Sequence, residues 1–497
     1  MVEALRPSAF IKDLALTTGT SIATGCGLII ATRLLAQGLG PEGFGVYSLS
    51  KRVVGTLAPF STLAMGVTVA RYIAISDDTV YRSQYLLSGL ILGVAPSVVV
   101  AVIGLMFINP LSTIIFNGTG HSLVFMMTLF ILVGYSFFTV LYAFYRGTGQ
   151  MGKANLWQLA IVLLGSIVIA GAYANTRRVD WILFLMGTLY FTSAVPLGLY
   201  AYKSVSCRRH ALRLAGPLKE LIQYGLPRVP GGLAFGGILA IGPLLAPYFG
   251  SLRDAGYLVA GQSVFALDAG ISAFGVIALP KAAQLFAEAR VEFLRERIGD
   301  IVALVIHLGL FTAIQLFLWS DQIILVWLGS QYIHAIPLMR ILILALVPYF
   351  AYVGLRSIID AVEERAVNTY NLCVGLITTV VSSLFFGMVG SGSLGLALGT
   401  TLGIVALGLL TVRYLWQANW VAIKGLRLKE CLCLNTCALG LALWFRTLLV
   451  HSYTPMAVLG FAVLLEGMLV LLYLLILRKL RVRWIVELER RVYPRSV

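Results

Sequence analysis

Apolar residues come in blocks along the whole chain, parted by short polar connections. The blocks lie near 14–37, 44–73, 84–108, 121–145, 154–174, 181–201, 221–248, 255–280, 299–320, 333–358, 367–389, 393–416, 430–450 and 455–477. Each is about 20 residues or longer, the length a helix needs to cross a hydrocarbon core of about 30 Å. The pattern predicts an all-α polytopic membrane protein with about fourteen transmembrane helices. In lipid every backbone donor and acceptor must be paired within the spanning structure. Apolar stretches of this length meet that demand as helices, not as the short alternating strands of a barrel. No connection exceeds roughly 20 residues, too few for a soluble domain. The first block shows no cleavable signal and is expected to stay in the membrane.

The polar connections alternate in charge. One set holds Arg6, Lys12, Arg82, Arg146 and Lys153, then Lys203, Arg208, Arg209, Arg213 and Lys219. It continues with Lys281, Arg290, Arg295, Arg297 and Arg365, then Lys424, Arg427, Lys429 and a tail with Arg478, Lys479, Arg481 and Arg483. The other set holds little beyond Arg177, Arg178 and Arg253. Basic connections stay on the cytoplasmic side, so both termini are expected there, with an even number of spans in the inner (plasma) membrane.

Composition narrows the function class. Of 497 residues, 59% are apolar and 12% charged, with mean hydropathy +0.92. Soluble domains carry about a quarter charged residues, and a water-soluble enzyme this apolar would aggregate. The 37 Lys and Arg exceed the 21 Asp and Glu by a net +16. The loop pattern accounts for that excess, so nucleic acid is not an expected partner. Cys26, Cys207, Cys373, Cys431, Cys433 and Cys437 form no CxxC pair and predict neither a disulfide scaffold nor a zinc site.

The two halves repeat one another at an offset of about 210 residues. Lys12-Asp13-Leu14 opens the first helix and Lys219-Glu220-Leu221 the seventh. Leu35-Ala36-Gln37-Gly38-Leu39-Gly40 returns as Leu245-Ala246-Pro247-Tyr248-Phe249-Gly250, and Gly45 with Tyr47 as Gly256 with Tyr257. Six helices separate the repeat starts, so the halves share one orientation, a plan known for transporters. The expected organisation is a six-helix lobe over 1–201, a basic cytoplasmic linker over 202–220 and a second lobe over 221–417. Helices 13 and 14 with the basic tail occupy 418–497.

Arg33-Leu34-Leu35 followed by Gly40-Pro41-Glu42-Gly43-Phe44-Gly45-Val46-Tyr47-Ser48-Leu49 resembles the opening of polysaccharide-transport flippases. These belong to the multidrug/oligosaccharidyl-lipid/polysaccharide exporter superfamily. Ala70-Arg71-Tyr72-Ile73-Ala74, Tyr224-Gly225-Leu226-Pro227 and Gly395-Leu396-Ala397-Leu398-Gly399-Thr400 are similar to its patterns in the second, seventh and twelfth helices. The resemblance runs from about 10 to 416 and rests on the order of loose glycine-rich motifs. It implies two lobes around a central cavity that opens to each side in turn, and an oligosaccharide cargo on a polyprenyl diphosphate, moved outward for cell-surface polysaccharide assembly. Membrane lipids, and other proteins of surface-glycan assembly, are the partners it suggests.

Such a cargo calls for cations inside the membrane, where charge is costly and by default marks a functional site. Lys51 and Arg52 lie seven or eight residues inside the second helix, Arg228 a similar depth into the seventh, and Arg71 near the second helix's end. These four are the substrate-binding candidates, against the reading that long basic side chains merely snorkel to the headgroups. Gly225, Pro227 and Pro230 predict a break beside Arg228. Thr17 and Thr18 stand in the small-residue stretch at the matching place in the first helix. Interrupted helices at corresponding places point to a transport site, although small residues also serve close packing. Asp268, deep in the eighth helix, is the coupling candidate; pairing with a lobe arginine competes with that role. No cofactor or metal is called for, and a coupling ion, H+ or Na+, stays open.

Gly147-Thr148-Gly149-Gln150-Met151-Gly152-Lys153 imitates a phosphate-binding loop, but Ala154 replaces the required Ser or Thr and no strand precedes it. The histidines have no metal-ligand spacing, and His307 reads as a packed, hydrogen-bonded residue. Asn117-Gly118-Thr119 is a glycosylation sequon on the expected outer side. The chain therefore reads as a secondary transporter with no catalytic residues. The alternatives are a lipid-linked peptidoglycan-precursor flippase and a multidrug cation antiporter of the same superfamily. A membrane glycan polymerase or ligase fits less well, because the outer loops are short and nearly uncharged.

Overall fold

Every regular element among the described residues is helical, because the apolar stretches can satisfy their backbone groups in lipid only by winding on themselves. The computed structural model describes residues 7–479 except 76, 174–175, 209–212, 268–290, 363–366, 419–427 and 451. The helices are α1 (Pro7–Ser61), α2 (Met65–Ile73), α3 (Thr79–Met106), α4 (Ile108–Phe116), α5 (Ser122–Gly147), α6 (Met151–Trp157), α7 (Ser166–Tyr173), α8 (Val179–Phe191), α9 (Ala194–Arg208) and α10 (Ala215–Gly225). They continue as α11 (Val229–Phe249), α12 (Leu252–Gln262), α13 (Val291–Trp327), α14 (Ala335–Ile343), α15 (Leu346–Val362), α16 (Val367–Met388), α17 (Gly392–Gln417), α18 (Leu428–Val450) and α19 (Pro455–Lys479). A π-helical stretch, Gln158–Gly165, joins α6 to α7.

Among the described residues eleven helices are long and apolar enough to cross a membrane, or twelve if the bent pair α14–α15 is one span. The predicted fourteen are compatible with this. One of the eleven, Gly19–Ser61, is 43 residues long and contains parts of two predicted spans. The predicted span 255–280 runs into residues outside the described set. The chain is a multi-pass membrane protein.

Contacts divide it into two units: residues 1–259 with 372–403, and residues 260–371 with 404–497. In the first unit α1 kinks at Gly40, whose φ of 71° and ψ of 174° suit only glycine, and resumes at Pro41 in a first-turn position that proline favours. The resumed half packs against the start of α12 at backbone contact. A Cβ on Gly45 would sit 2.0 Å from the Leu252 carbonyl oxygen, and one on Gly256 would sit 2.2 Å from that of Pro41. The contact exchanges its two sides under a shift of 211 positions, as a two-fold-related repeat does. Glu42 and Arg253, 211 positions apart, face each other at 3.3 Å beside it. Both are well exposed, so this pair contributes at most about 1 kcal/mol. At the same end the Asn117 side-chain amide donates to the Pro247 carbonyl at 2.7 Å, and the Tyr248 hydroxyl donates to Ile114. These bonds fasten the end of α4 to the end of α11.

In the second unit α13, α18 and α19 enclose an apolar core that includes Phe311, Trp319, Ala442, Val458 and Tyr473. Polar groups are threaded through it in matched pairs. Tyr473 receives a hydrogen bond from Asn435 at 3.1 Å and meets His307 Nδ1 at 3.0 Å. The Trp319 indole donates to Glu466 at 3.0 Å, and Arg446 meets Asp321 at 2.5 Å. His307 is thus a packed residue of a helix–helix contact. Glu466 holds α19 to α13.

Substituting Gly45 or Gly256 by alanine should force the α1–α12 crossing apart and cost about 1–3 kcal/mol, the usual price of overpacking. Gly55→Ala, which meets open space, is the control and should stay within about 0.5 kcal/mol of the parent. Thermal unfolding of the purified protein in detergent measures both, and equal midpoints for the three variants would refute the backbone contact.

Candidate functional site

The chain leaves α1 through Thr62, Leu63 and Ala64, the last two at φ 45° and 56°, and re-enters helix as α2. This left-handed corner lies against Gly225 at the end of α10, where a Cβ would be 2.5 Å from the Leu63 carbonyl oxygen. The glycine therefore lets α10 reach the corner. A single 3-10 turn, Leu226–Arg228, follows, and α11 restarts with Pro230 in its first turn. Gly225, Pro227 and Pro230 thus mark a tightened turn within one long span, Ala215–Phe249.

That turn brings two cations to one aromatic ring. The Arg228 guanidinium carbon lies 3.6 Å from the Tyr224 ring centroid, and that of Arg71, from the last turn of α2, lies 4.2 Å from it. Arg228 Nη1 also donates to the Tyr224 carbonyl at 2.7 Å. Both arginines are exposed, and among the described residues neither is paired with a carboxylate. Each cation–ring contact contributes about 0.5–2 kcal/mol, and together they hold two like charges near one another.

The ring is braced from behind. Tyr72 meets Tyr224 edge-on at 5.9 Å and stacks on Tyr85 at 5.2 Å, and Tyr81 lies 4.4 Å from Tyr85. The Tyr85 hydroxyl donates to Glu220 at 2.5 Å, so the nearest acid on α10 is bonded to the tyrosines. Met65, Val69 and Ile73 of α2, Leu86 of α3, Leu141 of α5 and Leu221 of α10 form one buried cluster, which turns Arg71 to the other side of α2.

Lys51 belongs to a different place. It is half-buried on the resumed half of α1, with Nζ 5.8 Å from the Tyr190 ring. One helical turn away the Tyr47 hydroxyl meets the Met186 sulfur at 3.5 Å. Arg52, the next residue, is half-buried as well. The arginine that joins Arg228 is thus Arg71. Thr17 accepts from Asn155 at 3.4 Å, and Thr24 accepts from Gln158, whose side-chain oxygen receives the Tyr142 hydroxyl at 3.0 Å. The first-helix threonines therefore face a polar seam on α6 and the π-helical stretch. The Thr18 side chain and Asp268 lie outside the described set. No group of three or more His, Cys, Asp or Glu side chains among the described residues could hold a metal ion.

Sequence reading missed Tyr224, although it quoted the residue within a motif. Its spacing of four from Arg228, one helical turn, was the available signal.

No family profile matches the sequence, and no curated protein does. Solved structures do match. The lipid II flippase MurJ in an inward closed conformation aligns over 95% of this chain and 99% of its own, with 12% identity and a TM-score of 0.71. An inward-facing multidrug-resistance MATE family transporter of the MOP superfamily aligns over 81% and 98%, at 16% identity and TM-score 0.64. A MOP superfamily transporter from Pyrococcus furiosus, described with reversed polarity of its binding pocket, aligns over 82% and 96%, at 16% identity and TM-score 0.57. The chain has the fold of MOP superfamily transporters. On this fold, Arg71 and Arg228 meet at Tyr224, Lys51 lies near Tyr190, and Arg52 is half-buried beside Lys51.

The Tyr85–Glu220 bond can be tested without cargo. Tyr85→Phe removes the donor to a carboxylate and should cost about 1.5–3 kcal/mol of stability. Glu220→Gln keeps an acceptor oxygen and should cost less. Detergent unfolding curves measure the order, and a larger loss for Glu220→Gln would contradict it.

Proposed function

We propose that this transporter-fold protein is a flippase that moves a polyprenyl-diphosphate-linked oligosaccharide from the cytoplasmic to the outer leaflet by alternating access. The observation that carries the reading is the convergence of Arg71 and Arg228 on Tyr224, neither paired with a carboxylate among the described residues. Two adjacent cations repel one another, and a diphosphate relieves that repulsion while taking charge-assisted hydrogen bonds from both guanidinium forks. The tyrosine cluster offers a flat apolar surface with hydroxyl edges, suited to a sugar. The hydrocarbon tail can stay in lipid throughout.

In this reading the lobes are 1–201 and 221–417, joined by the basic linker 202–220, with 418–497 as an accessory pair of helices and a cytoplasmic tail. Both termini face the cytoplasm, which puts the Arg71 end of α2 at the cytoplasmic mouth and the Glu42–Arg253 end outside. The tightened turn at Gly225, Pro227 and Pro230 is a flexing point, since a chain lacking one backbone donor bends there most easily. Lys51 and Arg52 offer positive charge further along the path, Thr17 and Thr18 hydrogen bonds, and Asp268 a coupling site for H+ or Na+. Membrane lipids surround the path, and surface-glycan assembly proteins supply and receive the cargo.

One observation favours a second reading, a lipid-linked peptidoglycan-precursor flippase. The likeness to MurJ covers 95% of this chain, against 81–82% for the MATE structure and the Pyrococcus transporter. That cargo bears the same diphosphate, so the two readings share the cation pair. A multidrug cation antiporter fits less well, because unpaired arginines repel a cationic drug.

Reconstituted vesicles separate these readings when lipid-linked oligosaccharide and lipid II are supplied in turn and the outer leaflet is sampled. Arg71→Gln and Arg228→Gln should each lower flipping of the preferred cargo by about tenfold or more, the loss of one charge-assisted contact of about 1.4 kcal/mol. Tyr224→Phe, which keeps the ring, should retain most activity. Unchanged flipping by both glutamine variants at parental protein levels would sink the cation-pair assignment. Faster flipping of lipid II than of the oligosaccharide carrier would select the second reading.

A further inference from the structure

A second anion-binding place lies in the other unit, at the end of the helical hairpin where α16 begins and α17 ends. Val367, Tyr370 and Asn371 of α16 and Leu410, Arg413, Tyr414 and Gln417 of α17 line a cleft of about 490 Å³. On each helix these positions are spaced three and four apart, so each presents one face to the cleft. The lining holds one cation and no acid. Arg413 is exposed and, among the described residues, meets no carboxylate.

The second observation is Asn371. Its side chain is 3% exposed, yet its amide nitrogen is buried without an acceptor. An orphaned buried donor costs about 1–3 kcal/mol, so its retention in the wall of a cleft calls for an acceptor from outside the chain. Its neighbour Asn368 shows the contrast: that amide is spent on the Arg356 carbonyl at 2.7 Å and on Asp360 at 2.8 Å. A guanidinium fork and a free amide donor ask for an acceptor-rich anion, and a phosphate fits both.

The surroundings say what carries the phosphate. The cleft sits where two membrane helices reach their ends, the depth of lipid headgroups. Tyr370 is 66% exposed and Trp416 58%, and exposed aromatic rings at helix ends belong to the interfacial belt. Val367 and Leu410 give the cleft an apolar side that a free phosphate would not use. The sequence beyond α17 continues with Lys424 and Arg427, which adds attraction for an anionic surface. We propose that this cleft binds the phosphate of an anionic glycerophospholipid, a site separate from the Arg71–Tyr224–Arg228 cluster and independent of the cargo assigned to it.

Native mass spectrometry of the full chain in detergent tests this, with phosphatidylglycerol or phosphatidylcholine added. The parent should retain phosphatidylglycerol in preference to phosphatidylcholine. Arg413→Gln should cut that retention about tenfold, and Asn371→Leu should cut it as well. Arg413 is exposed, so its variant should fold normally. Equal retention of the two lipids, or retention of phosphatidylglycerol unchanged by Arg413→Gln, would overturn the site. A third arm adds inorganic pyrophosphate and a fourth farnesyl diphosphate. Full displacement by pyrophosphate would make the cleft a soluble-anion site, and preferential retention of farnesyl diphosphate would make it a cargo site. Either result overturns the phospholipid assignment. Failure of this site would leave the flipping results for Arg71 and Arg228 untouched.

Discussion

A charge surrounded by hydrocarbon must be matched, hydrated or held for something that arrives, and this constraint sorts the polar residues of the chain into two kinds. Where α13, α18 and α19 meet in the second unit, the polar groups are matched internally. Arg446 meets Asp321, Glu466 accepts from Trp319, and Tyr473 gathers His307 and Asn435. Such contacts join α13, α18 and α19 because each group loses its partner if the helices part. The first unit does otherwise at Tyr224, where two arginines share one ring and Glu220, the available acid, is occupied by Tyr85. On the proposed reading, the pair left open at Tyr224 is held for a ligand.

Position follows from backbone contact. Arg71 and Arg228 belong to separate helices, and their meeting depends on the left-handed corner at Leu63 and Ala64 fitting against a residue with no side chain, Gly225. The same device recurs at the other end of the unit, where Gly45 and Gly256 let α1 and α12 touch at their carbonyls. Helices that meet at backbone distance cannot slide without losing dense van der Waals contact. The cation pair stands beside one such crossing, and the exposed Glu42–Arg253 pair beside the other. Exposed to water, that ion pair adds little energy.

Much of this was legible before any coordinates. Block length gave helices and membrane, and the shared order of short words gave a repeat of about 210 residues. The reciprocal contact of Pro41 with Gly256 and of Gly45 with Leu252 now gives that offset a physical form. The proline–glycine cluster at 225–230 marked a real irregularity, though as one tight turn in a continuous span. Individual partners were not legible. Sequence reading named Arg71 and Arg228 among four candidate cations but not their meeting at Tyr224, because a chain reversal over three residues redirects α2 in a way that hydropathy does not encode. Glu466 and Trp319 are 147 positions apart and carry no common pattern. Tertiary pairing between distant helices is set by shape, and one sequence read alone does not contain the pairing.

The sign of the charge limits the cargo more firmly than the fold does. Folds of this kind serve a lipid II flippase and multidrug transporters alike, so the fold alone leaves the cargo open. A cationic drug would need carboxylates facing the path, and the acid of α10, Glu220, is tied to a hydroxyl. A neutral glycan would gain hydrogen bonds from the tyrosines but would leave two cations side by side uncompensated. An anionic group joined to a sugar satisfies both features at once, the guanidinium pair through its phosphates and the aromatic floor through its rings. On the proposed reading the lipid tail asks nothing of the protein, so a polar cluster suffices for a substrate that is mostly hydrocarbon.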